Sequence, residues 1–574
     1  MRDKEEFYNT LCSIDGKEFS EYAQLVGDFD FSRYVLKISS VQHGTGGRGN
    51  STLFLLRVPQ IIALFPPHLF NTPVRRTALE DFLTRKLAGR IESAARYDGQ
   101  GMSRRRMSVA CPGQKILPRS AMVVTEEYIE ARIYVDLPER DGRVAGDTAL
   151  QMFFDDLPEL VNASLIYCNL SETEIHDFVN LMEDADQIRQ VLPTRGWVGF
   201  VAEGSLLSRA GDSDLPDYEQ LASLTVSNDI AVEMDVPNAG KVRGFGVPTG
   251  VTVILGDACS GRVELMHALA AGIYNHVPGD GREMCITVPD AAYVNTEPGR
   301  SIQHVDISAF VGGDDRGPNT RQFSTSHADA VSSQAAELVE ALEAGARALL
   351  LDESDSAPEF LALSAATAAL IPGVEQRVSP LALRARQIAD ELGVSIVVGG
   401  AATVGDFIPF ADTVLSVDRH QVTDVTQQAK ALAMKAPSLK GRPIDLAGLV
   451  DRGRWIVPSS IDPSLGRFDA SIDASSVKTL KFGRTTVDLG RVHQIADIYQ
   501  TLTIGRILYY AKLRYLDEPR PIREVLDLID RDLSTEGLES LTRDLRGDLA
   551  RPRRYEIAAA LNRLQTLRIA PSPE

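Results

Sequence analysis

Two rhythms of apolar and polar residues divide this chain. YVLKISSVQ alternates with the two-residue period of a half-buried strand. RRTALEDFLTRKLAGRIESAA changes period: Leu79, Phe82, Leu83, Leu87 and Ile91 recur at three- and four-residue steps, which predicts a helix with one apolar face. AMVVTEEYIEARIYVDLP is rich in β-branched residues and predicts a hairpin. The middle of the chain then runs through VTVIL, RVELMHALAAGIYNH, SSQAAELVEALEAGA, ALLLDES, PLALRARQIADELG and VSIVVGG. Short apolar strands alternating with helices predict a mainly parallel sheet with helices on its faces. Beyond about residue 431, the polar loop VPSSIDPSLGRFDASIDASS precedes a helical stretch, RVHQIADIYQTLTIGRILYYAKLRYL. No repeat of fixed period is present.

Turn-rich stretches break this pattern into domains. HGTGGRGN reads as a loop, and SRAGDSDLPDYEQ, residues 208–220, reads as a linker. The expected organisation is α/β, with a basic mixed α/β domain over 1–207, an α/β core of parallel-sheet type over 208–430 and a mainly helical domain over 431–574. A length of 574 residues fits two to four domains, and 44% hydrophobic with 24% charged residues excludes wholesale disorder. The most apolar early segment, LLRVPQIIALFPPHLF, is cut by Arg57, Pro59, Pro66 and Pro67, short of the roughly 18 unbroken apolar residues of a membrane span. The polar start MRDKEEFYNT lacks an apolar leader, and five scattered cysteines without CxxC spacing point to a reducing compartment and away from zinc. The expectation is a cytoplasmic protein with no membrane partner.

Charge alters that picture locally. The total of -19, from 60 Lys+Arg against 79 Asp+Glu, argues against a generic phosphate-coating protein. Residues 31–150, however, hold 18 Lys+Arg against 11 Asp+Glu. Arg75, Arg76, Arg85, Lys86, Arg90 and the run Arg104, Arg105, Arg106 are either solvated faces with internal pairs or a groove for nucleic acid, RNA above all.

Candidate chemistry gathers in the core. VTVIL runs into GDACSGRVE and a helix, the strand–loop–helix order in which backbone N–H groups converge on phosphates. Gly256 and Gly261 have the G-x-x-x-x-G spacing, but Arg262, Val263 and Glu264 stand where lysine and a metal-ligating hydroxyl would follow. ALLLDES ends an apolar strand in Asp352 and Glu353, the pair that in P-loop ATPases holds magnesium and polarises the attacking water. His267 and His276 have no ligand spacing with a carboxylate or cysteine and read as structural. Arg551, Arg553 and Arg554 precede the helix YEIAAALNRLQTL, with Asp548 or Glu556 as expected partners and an anionic ligand as the other reading.

These motifs, with CPGQKILPRSAMVV, GIYNHVPGDGRE, SIQHVDISAF and RPRRYEIAAALNRLQTL, resemble the predicted ATPases of the ABC class, a soluble non-transporter group. The resemblance runs through most of the chain. It implies an ABC-type P-loop core, binding of ATP or ADP with Mg2+, and head-to-tail pairing as a homodimer or with an intact paralogue. By position it makes Gly256, Gly261, Arg262 and Val263 the phosphate loop, Asp352 the metal-shell aspartate and Glu353 the catalytic glutamate. Ser332, Ser333 and Gln334 fall in the signature segment, before a helix whose N-terminus can face a γ-phosphate.

The departures carry their own expectation. The family's loop resembles GGGYHGKST, its signature SGSTSQ and its front glycine loop GSGKSG. This chain has Arg262, Val263 and Glu264 in the first, Asp329, Ala330 and Val331 ahead of Ser332 in the second, and Gly99 to Arg104 without a lysine in the third. Residues Ser354 to Phe360 also diverge. Removing one group that stabilises a phosphoryl transition state costs on the order of 10²-fold or more, so hydrolysis is expected to be weak or lost. Binding through backbone amides can survive.

Overall fold

The computed structural model describes residues 1–42, 51–96, 107–211, 213–219, 222–312, 319–364, 370, 379–435, 444–446, 448–449, 453–466 and 470–570. The glycine-rich stretch 43–50, the loop from Gly99 to Arg104 and the run Arg104 to Arg106 lie outside them. The chain forms two compact units, Met1–Glu183 with Leu538–Arg551, and Asp184–Gly537 with Pro552–Glu574.

The first unit is built on a seven-stranded sheet in the order Arg2–Asp3, Gly27–Asp30, Val35–Ile38, Thr52–Pro59, Tyr128–Val135, Met107–Ser108, with Met122–Val124 also on Tyr128–Val135. The expected hairpin is present: Met122, Val123 and Val124 pair antiparallel with Ala131, Glu130 and Ile129. The helix Pro73–Arg96 buries Leu79, Phe82, Leu83 and Leu87, as its period requires. Its cations are partly used internally: Arg75 pairs with Glu183 at 2.6 Å, Arg85 with Asp81 at 2.5 Å, and Lys86 with Glu174. The segment Leu538–Arg551 completes this unit. Ser120 N–H donates to the Leu549 carbonyl and Leu549 N–H to Ser120 Oγ, both at 3.0 Å, while Arg132 pairs with Glu539.

In the second unit, seven strands make the central sheet: β1 (Thr225–Val226), β2 (Val251–Leu255), β3 (Ala291–Tyr293), β4 (Ala348–Asp352), β5 (Ser395–Gly400), β6 (Thr413–Asp418) and β7 (Gln421–Asp424). Their order is β1-β7-β6-β2-β5-β4-β3. All neighbours are parallel except the hairpin β6–β7. Parallel strands covered on both faces are continuously apolar, which is why VTVIL, ALLL and SIVV form its centre. The helices used below are α1 (Arg262–Ala271), α2 (Ala330–Glu343) and α3 (Ala385–Leu392). Val251, Val253, Leu349, Leu351, Ile396 and Val398 pack with Leu338 and Leu342 of α2 and Ile388 of α3 in one buried core. Gly345 at φ +95° and Gly393 at φ +63° end α2 and α3 in the left-handed region that glycine adopts without strain. Beside it, Val232–Val236, Gly240–Pro248, Trp197–Ala202 and Cys285–Thr287 form an antiparallel sheet.

The C-terminal part of this unit opens with a meander, Ile472–Ser476, Thr479–Phe482 and Thr485–Asp488, followed by helices Ile498–Tyr515, Ile522–Thr535 and Arg554–Asn562. The first of these helices begins later than its apolar stretch suggests. Asp497 accepts from the N–H groups of Tyr499 (2.8 Å) and Gln500 (3.0 Å), and that cap fixes its start. Arg553 pairs with Glu556 at 2.6 Å, whereas Arg554 reaches Asp527 and Asp530, and Asp548 takes Arg546 instead. No helix among the described residues is long and apolar enough to cross a membrane.

Candidate nucleotide site

The loop from Gly256 to Gly261 links β2 to α1. Its glycines are required by space: a Cβ on Gly256 would lie 2.4 Å from Ser260 Oγ and 2.9 Å from the Val417 carbonyl oxygen. Gly261, at φ +94°, would bring a Cβ within 2.6 Å of the His420 ring. The loop also satisfies much of its own polarity. Cys259 N–H donates to Asp257 Oδ1 (2.8 Å), Ser260 Oγ to the Asp257 carbonyl (2.8 Å) and Arg262 N–H to Ser260 Oγ (3.3 Å). From outside, His420 N–H donates to the Ser260 carbonyl at 2.8 Å. Arg419 and His420 form the two-residue turn of the β6–β7 hairpin with φ +48° and +63°, the primed geometry such hairpins prefer but without the usual glycine.

Arg262, Asp352 and Glu353 meet at this end of the sheet, together with Gly256 and Gly261. Arg262 is 4% exposed. Its Nε donates to the Gly256 carbonyl at 2.7 Å and its Nη1 to Asp352 Oδ2. The second Asp352 oxygen accepts from Ser354 N–H (3.0 Å) and Oγ (2.6 Å), so both oxygens of this fully buried carboxylate are engaged. Glu353 is engaged as completely: Oε2 accepts from Ala401 N–H (2.6 Å) and Ala402 N–H (3.0 Å), and Oε1 from Thr403 N–H (3.0 Å). Burial alone would push its carboxyl up, but these three amides hold it below the ordinary glutamate value. Val263 adds no polar side-chain atom. Glu264, in the first turn of α1, keeps Oε2 buried without a hydrogen-bond partner.

Ser332, Ser333 and Gln334, the residues expected in the signature segment, stand at the start of α2. Asp329 caps this helix, with Oδ1 accepting from Ser332 N–H (2.9 Å) and Oδ2 from Ser332 Oγ (2.7 Å), so an internal anion already answers the helix's positive end. Ser333 and Gln334 are fully buried. Ser333 Oγ accepts from Glu297 N–H (3.0 Å), and Gln334 bridges Ser356 Oγ and Ala357 N–H at 2.8 Å each. Gln334 thereby holds the turn after β4, and Ser333 the segment after β3.

Several participants escape a motif reading. Gly399 and Gly400 end β5 where a Cβ would fall 2.7 Å from Asp352 Oδ2 and 2.5 Å from Glu353 Oε2. The Gly-Gly pair after a β-branched run is the signal that marks them. Asp355 accepts from Tyr293 OH (2.8 Å) and meets His267 Nε2 at 3.3 Å. The His267 bond, then Tyr293 and His493, outweigh burial and hold its carboxyl at about 2. His276 pairs with Asp280 at 2.6 Å inside the core. Among the described residues no group of three or more His, Cys, Asp or Glu converges to hold a metal ion.

A parallel sheet with a glycine loop between its central strand β2 and a helix, and an aspartate at the end of β4, one strand removed from it across β5, defines a P-loop nucleotide-binding fold. Comparison with protein families is specific. The P-loop domain of the ABC ATPases matches residues 171–446, the N-terminal region of ATPases of the ABC class matches 4–168, and the MRB1590 C-terminal domain matches 471–570. The chain belongs to the ABC-class ATPases. No curated protein matches it. Among solved structures, cbiO1 of Clostridium perfringens, part of the ABC transporter complex cbiONQ, aligns at 12% identity and TM-score 0.22, over 41% of this chain and 91% of that one. ABC-type P-loop ATPases use a nucleotide with Mg2+.

Proposed function

We propose that this protein binds an adenine nucleotide, ATP or ADP, at the Gly256–Gly261 loop, and that hydrolysis is weak or lost. The observation that carries the reading is the Arg262 side chain, bound at one end to the Gly256 carbonyl and at the other to Asp352. A working loop presents a compact ammonium to the phosphates, whereas this guanidinium is committed to protein atoms. Glu353, which accepts from three backbone amides, serves as a structural anion in place of a catalytic base. Pairing as a homodimer or with an intact paralogue belongs to the same proposal, since the family's site is completed by a second subunit. The free cysteines, four of them exposed, support a reducing, cytoplasmic setting.

The test is a titration of the full chain with fluorescent ATP, with phosphate release measured beside Glu353→Gln. Saturable binding with release at background in both proteins is expected. Release abolished by Glu353→Gln contradicts the loss of turnover, and no binding contradicts the nucleotide reading.

The alternative, RNA binding by the front region, rests on its excess of cations. Arg75, Arg85 and Lys86 are spent on carboxylates, which leaves exposed Arg76 and Arg90 on that helix and the run Arg104 to Arg106 to supply it. RNA affinity that falls steeply with salt and on neutralising Arg104, Arg105 and Arg106 would support it; affinity unmoved by either excludes it.

A further inference from the structure

Magnesium is the cation that the fold family implies at Asp352, and the residues present do not fit it. Mg2+ takes near-octahedral oxygen ligands at about 2.0–2.1 Å and is held through one or two carboxylates together with substrate phosphates. Here Asp352 Oδ2 is given to Arg262, and Oδ1 to two donors of Ser354. The neighbouring hydroxyl ligand is replaced by Val263, and Glu353 carries three amides. Glu264 Oε2, in the first turn of α1, is buried without a hydrogen-bond partner but is a single oxygen. To seat the metal, a guanidinium that cannot lose its proton would have to leave a pocket where Arg262 is 4% exposed, or share that pocket with a divalent ion.

We infer that the metal position of the phosphate site is filled by the chain's own Arg262, so that the site takes its nucleotide as the metal-free species. The charge bookkeeping is self-contained. Arg262 neutralises Asp352, as a bound cation otherwise would, and the geometry is locked from the loop side by the Gly256 carbonyl. A nucleotide that arrives with magnesium brings a cation for which neither Asp352 nor Glu353 offers an oxygen free of protein donors. Its diphosphate or triphosphate is left to the backbone N–H groups of the loop and of the first turn of α1.

This inference rests on the nucleotide-binding reading, and the experiment separates the two. The full-length wild-type chain is titrated with N-methylanthraniloyl-ADP and the corresponding ATP derivative, once in EDTA and once in excess MgCl2. A Kd in magnesium that is weaker than in EDTA, or tighter by no more than threefold, supports it; one tighter by more than threefold overturns it. Binding in neither condition defeats the nucleotide reading, and the internal cation is then decided without ligand. Unfolding midpoints of Arg262→Met, Asp352→Asn and the double variant are compared. A double variant that loses clearly less than the two single losses combined supports the pair as one unit, and additive losses overturn it. Since the wild-type titration requires no variant, a substitution that prevents folding leaves that arm intact.

Discussion

Glu337 is a residue whose energetics depend strongly on pH. It lies on α2, with Oε1 facing Arg563 at 3.3 Å and Oε2 buried without a partner. Burial dominates the pull of Arg563 and Arg300 and raises its carboxyl from 4.5 to about 7. A raised acid favours folding in its protonated form, so the stability it permits is full below pH 4.5 and drains away as pH climbs through 7. The displacement corresponds to on the order of 3 kcal/mol. Glu337→Gln, neutral at every pH, is therefore expected to gain about 2 kcal/mol relative to wild type between pH 5 and pH 8 in urea unfolding. A constant difference across that range would contradict it. Nothing in the string SSQAAELVEALEAGA reveals this, because the desolvation comes from the C-terminal helix that carries Arg563. The same holds for Arg262: its substitution for lysine is plain in the sequence, but its choice of Asp352 over an outside phosphate depends on a residue 90 positions away.

Elements show which part of the site a pattern can carry. VTVIL, ALLL and SIVV became the sheet centre because an unbroken apolar run has few other stable fates, and the loop between β2 and α1 followed from two glycines at the right spacing. The nest of amides around Glu353 had no such trace, since Ala401, Ala402 and Thr403 contribute only backbone. The charges at the ends of these elements are answered inside the protein: Arg262 at the start of α1 by Asp352, Asp329 at the start of α2 by Ser332 and the helix end, and Glu353 after β4 by three amides. Gly399 tests how tightly these ends are fitted. Alanine there would place its Cβ 2.7 Å from Asp352 Oδ2 and 2.8 Å from Met266 Cγ, against a carboxylate fixed by Arg262 and Ser354. Gly399→Ala should cost about 1–3 kcal/mol in chemical unfolding. Gly405→Ala, with nothing within 4 Å of its Cβ, should cost far less. Equal losses would mean that the contact at Gly399 relaxes freely.

At the scale of the whole chain, the units are not drawn in sequence order. Leu538–Arg551 belongs with Met1–Glu183, while the residues on either side of it belong to the second unit. A local pattern cannot announce this, because the segment's bonds to Pro118 and Ser120 and its pairing with Arg132 span the length of the molecule. Replacing Leu538–Arg551 with a Gly/Ser linker should speed hydrogen exchange in Met122–Val124 and Tyr128–Val135 at least tenfold, with β2 and β4 unchanged. Unaltered exchange in the front strands would show that they stand without it. The order of synthesis gives this arrangement a further meaning. Ser120 waits for a partner 429 residues later, which at about 5–20 residues per second is tens of seconds of translation. The front unit of a nascent chain thus stays incomplete until Leu538–Arg551 has left the ribosome, and folding of that unit is tied to synthesis of the unit that lies between its two pieces in sequence.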